Sequence, residues 1–339
     1  MSKQLKVGIA GFGLVGKKRF KQIENNRFLI NSAVCDINFS GSGTLPNGVR
    51  YYDTYKHLLK DEVLDILFIS LPNYLAPEVI ISALEKGLHV FCEKPPAADM
   101  KGMEKVRKTH LKYPNLKVKF GFNHRYHDSV QLALKLIKEQ KYGNIINIRG
   151  IYGKSFIINP NDPEITWRSE KSKAGGGILL DQGIHMVDLI RLFSGEGEYD
   201  QIFSLIDYNF WNYDVEDNAY VLMKNSKSGS IAMLHSSATE WSHTFNLSIT
   251  LTKGKIVLSG ILTNSKSYGS EKIIINERNK NDQGVPRDEV YTFINDNSWC
   301  LEIEDFVDSI INDKPVSTGG VEDACRTLKL VFDIYNSEK

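Results

Sequence analysis

Along the first 120 residues, short apolar runs alternate with stretches whose apolar positions recur at helical spacing. "LKVGIA" (Leu5 to Ala10) reads as a buried strand, followed by glycines and then a helix-like segment. A second apolar run, Ser32 to Cys35, ends at Asp36. "GVRYYDTYKHLLKD" reads as a short strand and a short helix, and "LDILFISLP" as an apolar strand that stops at Pro72-Asn73. "APEVIISALEKG" is an amphipathic helix ended near Gly87, and "LHVFCEKPPA" another buried strand. A helix over residues 99–112 then leads into "LKVKFGFNHRY". This alternation predicts an α/β unit with a parallel, doubly wound sheet and ligands at the carboxyl ends of its strands.

From about Gly143 the rhythm changes. "GNIINIRGIYG", "DQIFSLIDY", "NAYVLMKN", "SGSIAMLHSSA", "TFNLSITLT" and "KGKIVLSG" are strand-like and separated by short turns, which predicts a largely antiparallel sheet. The last forty residues return to helix. The reading is two domains, residues 1–122 and 123–339, joined by a short polar linker near 122–128. An open sheet with apolar and aromatic positions on its faces would favour a homodimer or homotetramer.

Composition narrows the possibilities. Net charge is +1 over 339 residues, and no dense Lys/Arg run with interleaved aromatics occurs, which argues against a nucleic-acid partner. No apolar run approaches membrane-spanning length, and the N-terminus enters a strand rather than a signal-peptide pattern. Cys35, Cys92, Cys300 and Cys325 form no CxxC, which suggests reduced thiols and a cytoplasmic protein.

The first strand continues as Gly11-Phe12-Gly13-Leu14-Val15-Gly16, a G-x-G-x-x-G in strand–turn–helix context. Gly11 permits the tight turn, Gly13 lets a pyrophosphate approach the backbone, and Gly16 lets helix and strand pack closely. The plain alternative is a glycine-rich turn without a ligand. Asp36 ends the second strand near the distance expected of the acid that accepts hydrogen bonds from a ribose diol. Ile37 and Asn38 bring no positive charge for a 2′-phosphate, which points to NAD, with NADP possible. Ser70, Leu71, Pro72, Asn73, Glu93, Lys94 and Asn123 lie just past strand ends and complete the candidate cofactor contacts.

In "GGGILLDQGIHMVDLI", residues 175–190, an ideal helix from Ile178 would gather Asp181, His185 and Asp188 in one narrow sector. A solvated face would show that pattern too. Yet Gly183 stands where alanine would favour helix by about 1 kcal/mol, which suggests a close approach to the backbone. By spacing the triplet could hold a metal, but no Cys/His cluster supports one, and none is expected.

The fingerprint, "EKP" at Glu93-Lys94-Pro95 and Asp-x-x-x-His at Asp181 and His185 together resemble the glucose–fructose oxidoreductase / inositol dehydrogenase (Gfo/Idh/MocA) family over essentially the whole chain. The resemblance implies an N-terminal Rossmann domain, and a C-terminal α+β domain with an open, largely antiparallel sheet. It also implies that Lys94, Asp181 and His185 are catalytic. In that reading His185 is base in one direction and acid in the other, Asp181 orients its ring, and Lys94 stabilises a developing alkoxide. Arg125, Trp167 and Arg168, with Lys94, Asp181 and His185, resemble residues that line the family's substrate pocket. The plain alternative is arginines that solvate loops and a Trp167 that fills a hinge. Ala76 stands where many relatives have a histidine, so no role is carried over there. "DVEDNAY" and "SATEWSHTFNL" resemble a subgroup associated with surface-sugar biosynthesis, favouring a sugar nucleotide or modified sugar. The expected activity is NAD(P)-dependent oxidoreduction of a sugar, sugar-nucleotide or polyol hydroxyl. A redox-neutral NAD-dependent glycosidase and a non-catalytic dinucleotide sensor are the alternatives.

Overall fold

The computed structural model describes residues 4–158, 166–195, 198–263, 265–279 and 286–338. The chain divides into two compact units. One comprises Met1–Phe122 with Trp299–Leu328, the other Asn123–Ser298 with Lys329–Lys339.

The first unit runs β1 (Leu5–Ala10), α1 (Leu14–Glu24), β2 (Leu29–Cys35), β3 (Ser42–Thr44), β4 (Arg50–Tyr52), α2 (Tyr55–Asp61), β5 (Ile66–Ile69), α3 (Ala76–Glu85), β6 (His89–Cys92), α4 (Met100–His110) and β7 (Val118–Phe120). The sheet order is β3-β4-β2-β1-β5-β6-β7, parallel except for the β3–β4 pair. β1 lies between β2 and β5, so the chain winds outward in one direction after β1 and in the other after β5. The crevice beyond the carboxyl ends of β1 and β5 is therefore the topological switch point where such sheets bind ligands.

In the second unit come α5 (Asp128–Lys138), β8 (Ile145–Gly153), α6 (Lys171–Ala174), α7 (Ile184–Phe193), β9 (Gln201–Asp207), β10 (Asn218–Lys224), β11 (Ile231–Ser237), β12 (Thr244–Leu251), β13 (Gly254–Ser259), β14 (Glu271–Glu277) and β15 (Asp288–Phe293). Its eight-stranded sheet has the order β15-β14-β13-β12-β8-β11-β10-β9. Only the β8–β11 pair is parallel. Side chains alternate across the pleat, so Ala219, Val221 and Met223 of β10 are buried while Tyr220 and Leu222 are exposed. With Phe203, Leu205, Ile231 and Met233 they make an exposed apolar face.

Two helices follow, α8 (Ser298–Ile311) and α9 (Val321–Asn336). The sequence reading assigned both to the second domain, but Trp299–Leu328 belongs to the first unit. Ile303, Phe306 and Val307 form one apolar stripe on α8 and join Val7, Ile9, Ile66, Phe68 and Phe91 in the Rossmann core. The Phe306 ring stands edge-on to Phe68 and Phe91, with centroids 6.2 and 5.6 Å apart. The stripe is legible in sequence; which sheet it covers is not.

The segment expected to be a polar linker is also different. Asn123–Tyr126 forms a 3-10 turn whose Asn123, His124 and Arg125 are buried, and His127 beyond it is buried as well. Each of these polar side chains has a partner within the second unit, as burial demands.

Candidate functional site

The cradle after β1 is built by close approach. Gly11 has φ +91°, and a Cβ there would lie 2.3 Å from the Ser70 carbonyl oxygen. A Cβ on Gly16 would lie 1.9 Å from the Gly11 carbonyl oxygen, while one on Gly13 would meet nothing within 4 Å. The outer two glycines thus fold the loop, and the middle one leaves open space. Helix α1 begins there with no side-chain cap and no acidic residue in its first turn. Its amide groups and dipole are left to an anion, such as a pyrophosphate.

Asp36, just past β2, accepts hydrogen bonds from the Phe12 amide at 2.7 Å and from the Asn38 amide and side chain at 3.0 and 2.7 Å. Oδ1 takes both Asn38 bonds, so Oδ2, which accepts only the Phe12 amide, retains lone-pair capacity for a diol hydroxyl. Leu14 and Ile37 beside the loop are 86% and 91% exposed, apolar surface of the kind an adenine covers. Val15 is half-buried in the first turn of α1. Past β5, the buried Ser70 Oγ has no hydrogen-bond partner, and Leu71 and Pro72 lead to buried Asn73. The uncapped helix, the open space at Gly13 and the orphaned Ser70 hydroxyl fit a bound dinucleotide.

Two candidate cofactor contacts have other employment. Glu93 is bound by Arg19, Nε to Oε1 at 2.6 Å, and Arg19 Nη2 reaches Glu302 on α8 at 2.8 Å. The guanidinium is itself held between the rings of Phe91 and Trp299, 4.4 and 4.1 Å from their centroids. Glu93 thus anchors the turn that carries Lys94. Asn123 belongs to the second unit, where its Nδ2 donates to Ser298 Oγ at 3.0 Å. Ala76, the position lacking the family histidine, is buried at the start of α3.

The second unit places the remaining candidates. Leu179–Gly183 is a π-helical turn, and the regular helix α7 starts only at Ile184. Asp181 and His185 are therefore not on one ideal α-helix, which corrects the narrow-sector geometry. Gly183 explains the choice of residue: a Cβ there would lie 2.2 Å from Ser236 Oγ on β11. The close approach anticipated in sequence is made by the sheet. The glycine run is clamped by buried Glu216, which accepts from the Gly177 and Leu179 amides and from Tyr335 Oη. Glu216 and Asp217 of "DVEDNAY" are thus structural; Asp217 takes the Phe210 and Trp211 amides.

Asp188 is buried, not solvated, and accepts a two-pronged ion pair from Arg125 at 2.6 and 2.7 Å. The expectation that Arg125 lines the substrate pocket is corrected accordingly, since its fork is already committed to Asp188. His127 and Glu271 form a second buried pair at 2.7 Å. Burial alone would raise the Glu271 carboxyl, but hydrogen bonds from His127 and Ser129 hold it below the ordinary range.

Around His185 the structure assembles residues that no local pattern groups. Its buried ring stacks on His124 at 3.8 Å and 12°. His124 Nε2 lies 3.0 Å from Tyr152 Oη, and Gln182 donates to Tyr268 Oη at 2.7 Å. Burial, with the neighbouring Tyr268 phenol and the Asp181 carboxylate, pushes the Tyr152 phenol well above its ordinary value; burial takes Tyr268 to about 12. Both stay protonated near neutrality. Asp181 Oδ2 accepts an ion pair from Lys154, just past β8, at 3.0 Å. Ser155 Oγ and His243 Nε2 follow at 3.0 Å. Trp167 is half-buried against Ile157, Ile158 and Val215, and Arg168 covers its ring at 4.4 Å. Among the described residues, no cluster of three or more His, Cys, Asp or Glu could hold a metal, and no helix is long and apolar enough to cross a membrane.

Residues 5–120 match the oxidoreductase family with an NAD-binding Rossmann fold, and residues 130–257 match the Gfo/Idh/MocA C-terminal domain. The chain belongs to the Gfo/Idh/MocA oxidoreductase family. Among relatives, levoglucosan dehydrogenase of Pseudarthrobacter phenanthrenivorans is 36% identical over 143 residues, 42% of this chain and 36% of that protein. Glucose-6-phosphate 3-dehydrogenase of Bacillus subtilis is 28% identical over 55% of this chain and 52% of that protein. The chain thus spans about a third to a half of these relatives. Similar structures include myo-inositol 2-dehydrogenase from Lactobacillus plantarum, with TM-score 0.79, 24% identity, and 99% and 97% of the two chains covered. A levoglucosan dehydrogenase complex with NADH and levoglucosan gives TM-score 0.83 at 21% identity, over 99% and 97%. Both show the shared fold.

Proposed function

We propose that this protein is an NAD-dependent oxidoreductase, able in principle to use NADP, that interconverts a secondary hydroxyl and a ketone on a sugar, sugar nucleotide or polyol. The Gly11–Gly16 loop, Asp36, Ile37 and Ser70 hold the dinucleotide; Leu71, Pro72 and Asn73 extend that contact. Bound nicotinamide supplies the hydride acceptor in one direction and the donor in the other. His185 takes the hydroxyl proton in oxidation and returns one in reduction, and Asp181, one turn away, stabilises the imidazolium. Lys94 donates a hydrogen bond to the substrate oxygen and stabilises the negative charge that develops there. Trp167 and Arg168 contribute an aromatic face and a cation to the sugar site.

The observation that carries this reading is the polar network built around His185. A buried imidazole set against His124, with an ion-paired carboxylate one turn away, serves no purpose in dinucleotide binding alone. The levoglucosan and glucose-6-phosphate dehydrogenases among the relatives support a carbohydrate substrate. The exposed apolar face of the second unit's sheet supports self-association as a homodimer or homotetramer. Steady-state kinetics of Lys94→Ala and His185→Ala alongside NAD titration test the roles. Each change is expected to lower turnover by at least about 100-fold and leave NAD affinity nearly unchanged. Full activity in His185→Ala would refute the proton-transfer assignment.

A further inference from the structure

Lys154 was not among the residues that sequence or family resemblance singled out, yet its ammonium is 3.0 Å from Asp181, the carboxylate assigned to His185. Both side chains are largely buried, about a fifth exposed. The lysine is held in place by its backbone: its amide donates to Ser237 and its carbonyl accepts from Glu240. We propose that Lys154 is a positioning residue that fixes the Asp181 carboxylate and sets the proton affinity of His185, an inference that rests on the oxidoreductase reading above.

An isolated carboxylate one turn from an imidazole favours imidazolium and so strengthens the base at the cost of keeping it charged at rest. Lys154 offsets that negative charge and itself repels a proton on His185. The stacked ring of His124 acts in the same direction, because two imidazolium ions face to face at 3.8 Å repel. His185 is thereby kept neutral and ready to accept a proton. Arg125 and Asp188 form an ion pair of their own, and His127 Nδ1 lies 2.7 Å from the Glu271 carboxylate. Tyr152 and Tyr268 remain neutral phenols, with upward shifts from burial first and from Asp181 in part. Burial and the Lys154 charge push His243 down, so it adds no cation at neutral pH. Glu240, whose backbone amide donates to the Lys154 carbonyl, is a further carboxylate nearby.

The test is an NMR titration of the His185 imidazole in the intact protein, its resonance assigned by its loss in His185→Asn. Lys154→Met is expected to raise the midpoint by about one pH unit or more, the shift an opposed charge at this range produces. Lys154→Arg should return it to the wild-type value. Asp181→Asn should lower it, and this variant decides the matter if Lys154→Met does not fold. An unchanged midpoint in folded Lys154→Met, or in Asp181→Asn, would overturn the proposal. No substrate is needed, so the titration decides the role of Lys154 even if no sugar is turned over. In active protein, the acidic limb of the kcat/KM profile should move with the NMR midpoint; a limb that stays fixed while the midpoint moves would overturn the link to catalysis.

Discussion

Glu302→Gln should flatten a specific part of the pH dependence of stability. Glu302 is buried on α8 against Arg19, which also binds Glu93, so two carboxylates share one guanidinium. Burial first, and then the charge of Glu93, raises Glu302 from 4.5 to about 7, against the lowering effects of Arg19 and Lys119. Lys119 is separately engaged by Asp305. The sign follows from proton counting. Below pH 4.5 Glu302 is protonated whether folded or not, and its favourable contribution is fully present. Between 4.5 and about 7 the folded chain keeps a proton that the unfolded chain has lost, so stability falls as pH rises. Above about 7 the loss is complete. Two and a half units at about 1.4 kcal/mol each make the total about 3–4 kcal/mol. Glutamine keeps the shape and cannot ionise. Urea unfolding followed by tryptophan fluorescence, Trp299 lying beside the cluster, measures it. The variant should gain about 3–4 kcal/mol relative to wild type between the two ends of that window. A difference independent of pH would refute the argument.

Three further substitutions probe separate parts of the account. Asp36→Ala should weaken NAD binding by about 10- to 100-fold, the loss of charge-assisted bonds to a diol, as read by calorimetry. Gly16→Ala puts a Cβ 1.9 Å from a backbone oxygen and should both abolish NAD binding and lower stability by roughly 3 kcal/mol. Arg125→Leu strands buried Asp188 and should cost about 3–5 kcal/mol in urea unfolding. A near-neutral outcome would return Arg125 to the list of substrate-binding candidates.

The parallel sheet was legible because each strand is an apolar run of its own and each helix a periodic one, so local pattern and global fold agree. The dinucleotide loop was legible because close packing at Gly11 and Gly16 demands glycine itself. Less could be read where the decisive partner is distant in sequence. Arg125 and Asp188 are 63 residues apart, and nothing in either neighbourhood announces a buried ion pair. Lys154 meets Asp181 because β8 ends beside the π-helical turn, a backbone departure that heptad-like spacing cannot reveal. The destination of α8 was hidden for the same reason: an apolar stripe records that a helix is covered, without naming the sheet that covers it.

The most direct measurement follows nicotinamide absorbance as purified protein is offered NAD or NADP with a panel of sugars, sugar nucleotides, sugar phosphates and polyols. NADH should accumulate with one carbohydrate class, and the signal should vanish in Lys94→Ala and His185→Ala. NAD binding without reduction across the panel, whether accompanied by release of free sugar or by no reaction at all, would contradict it.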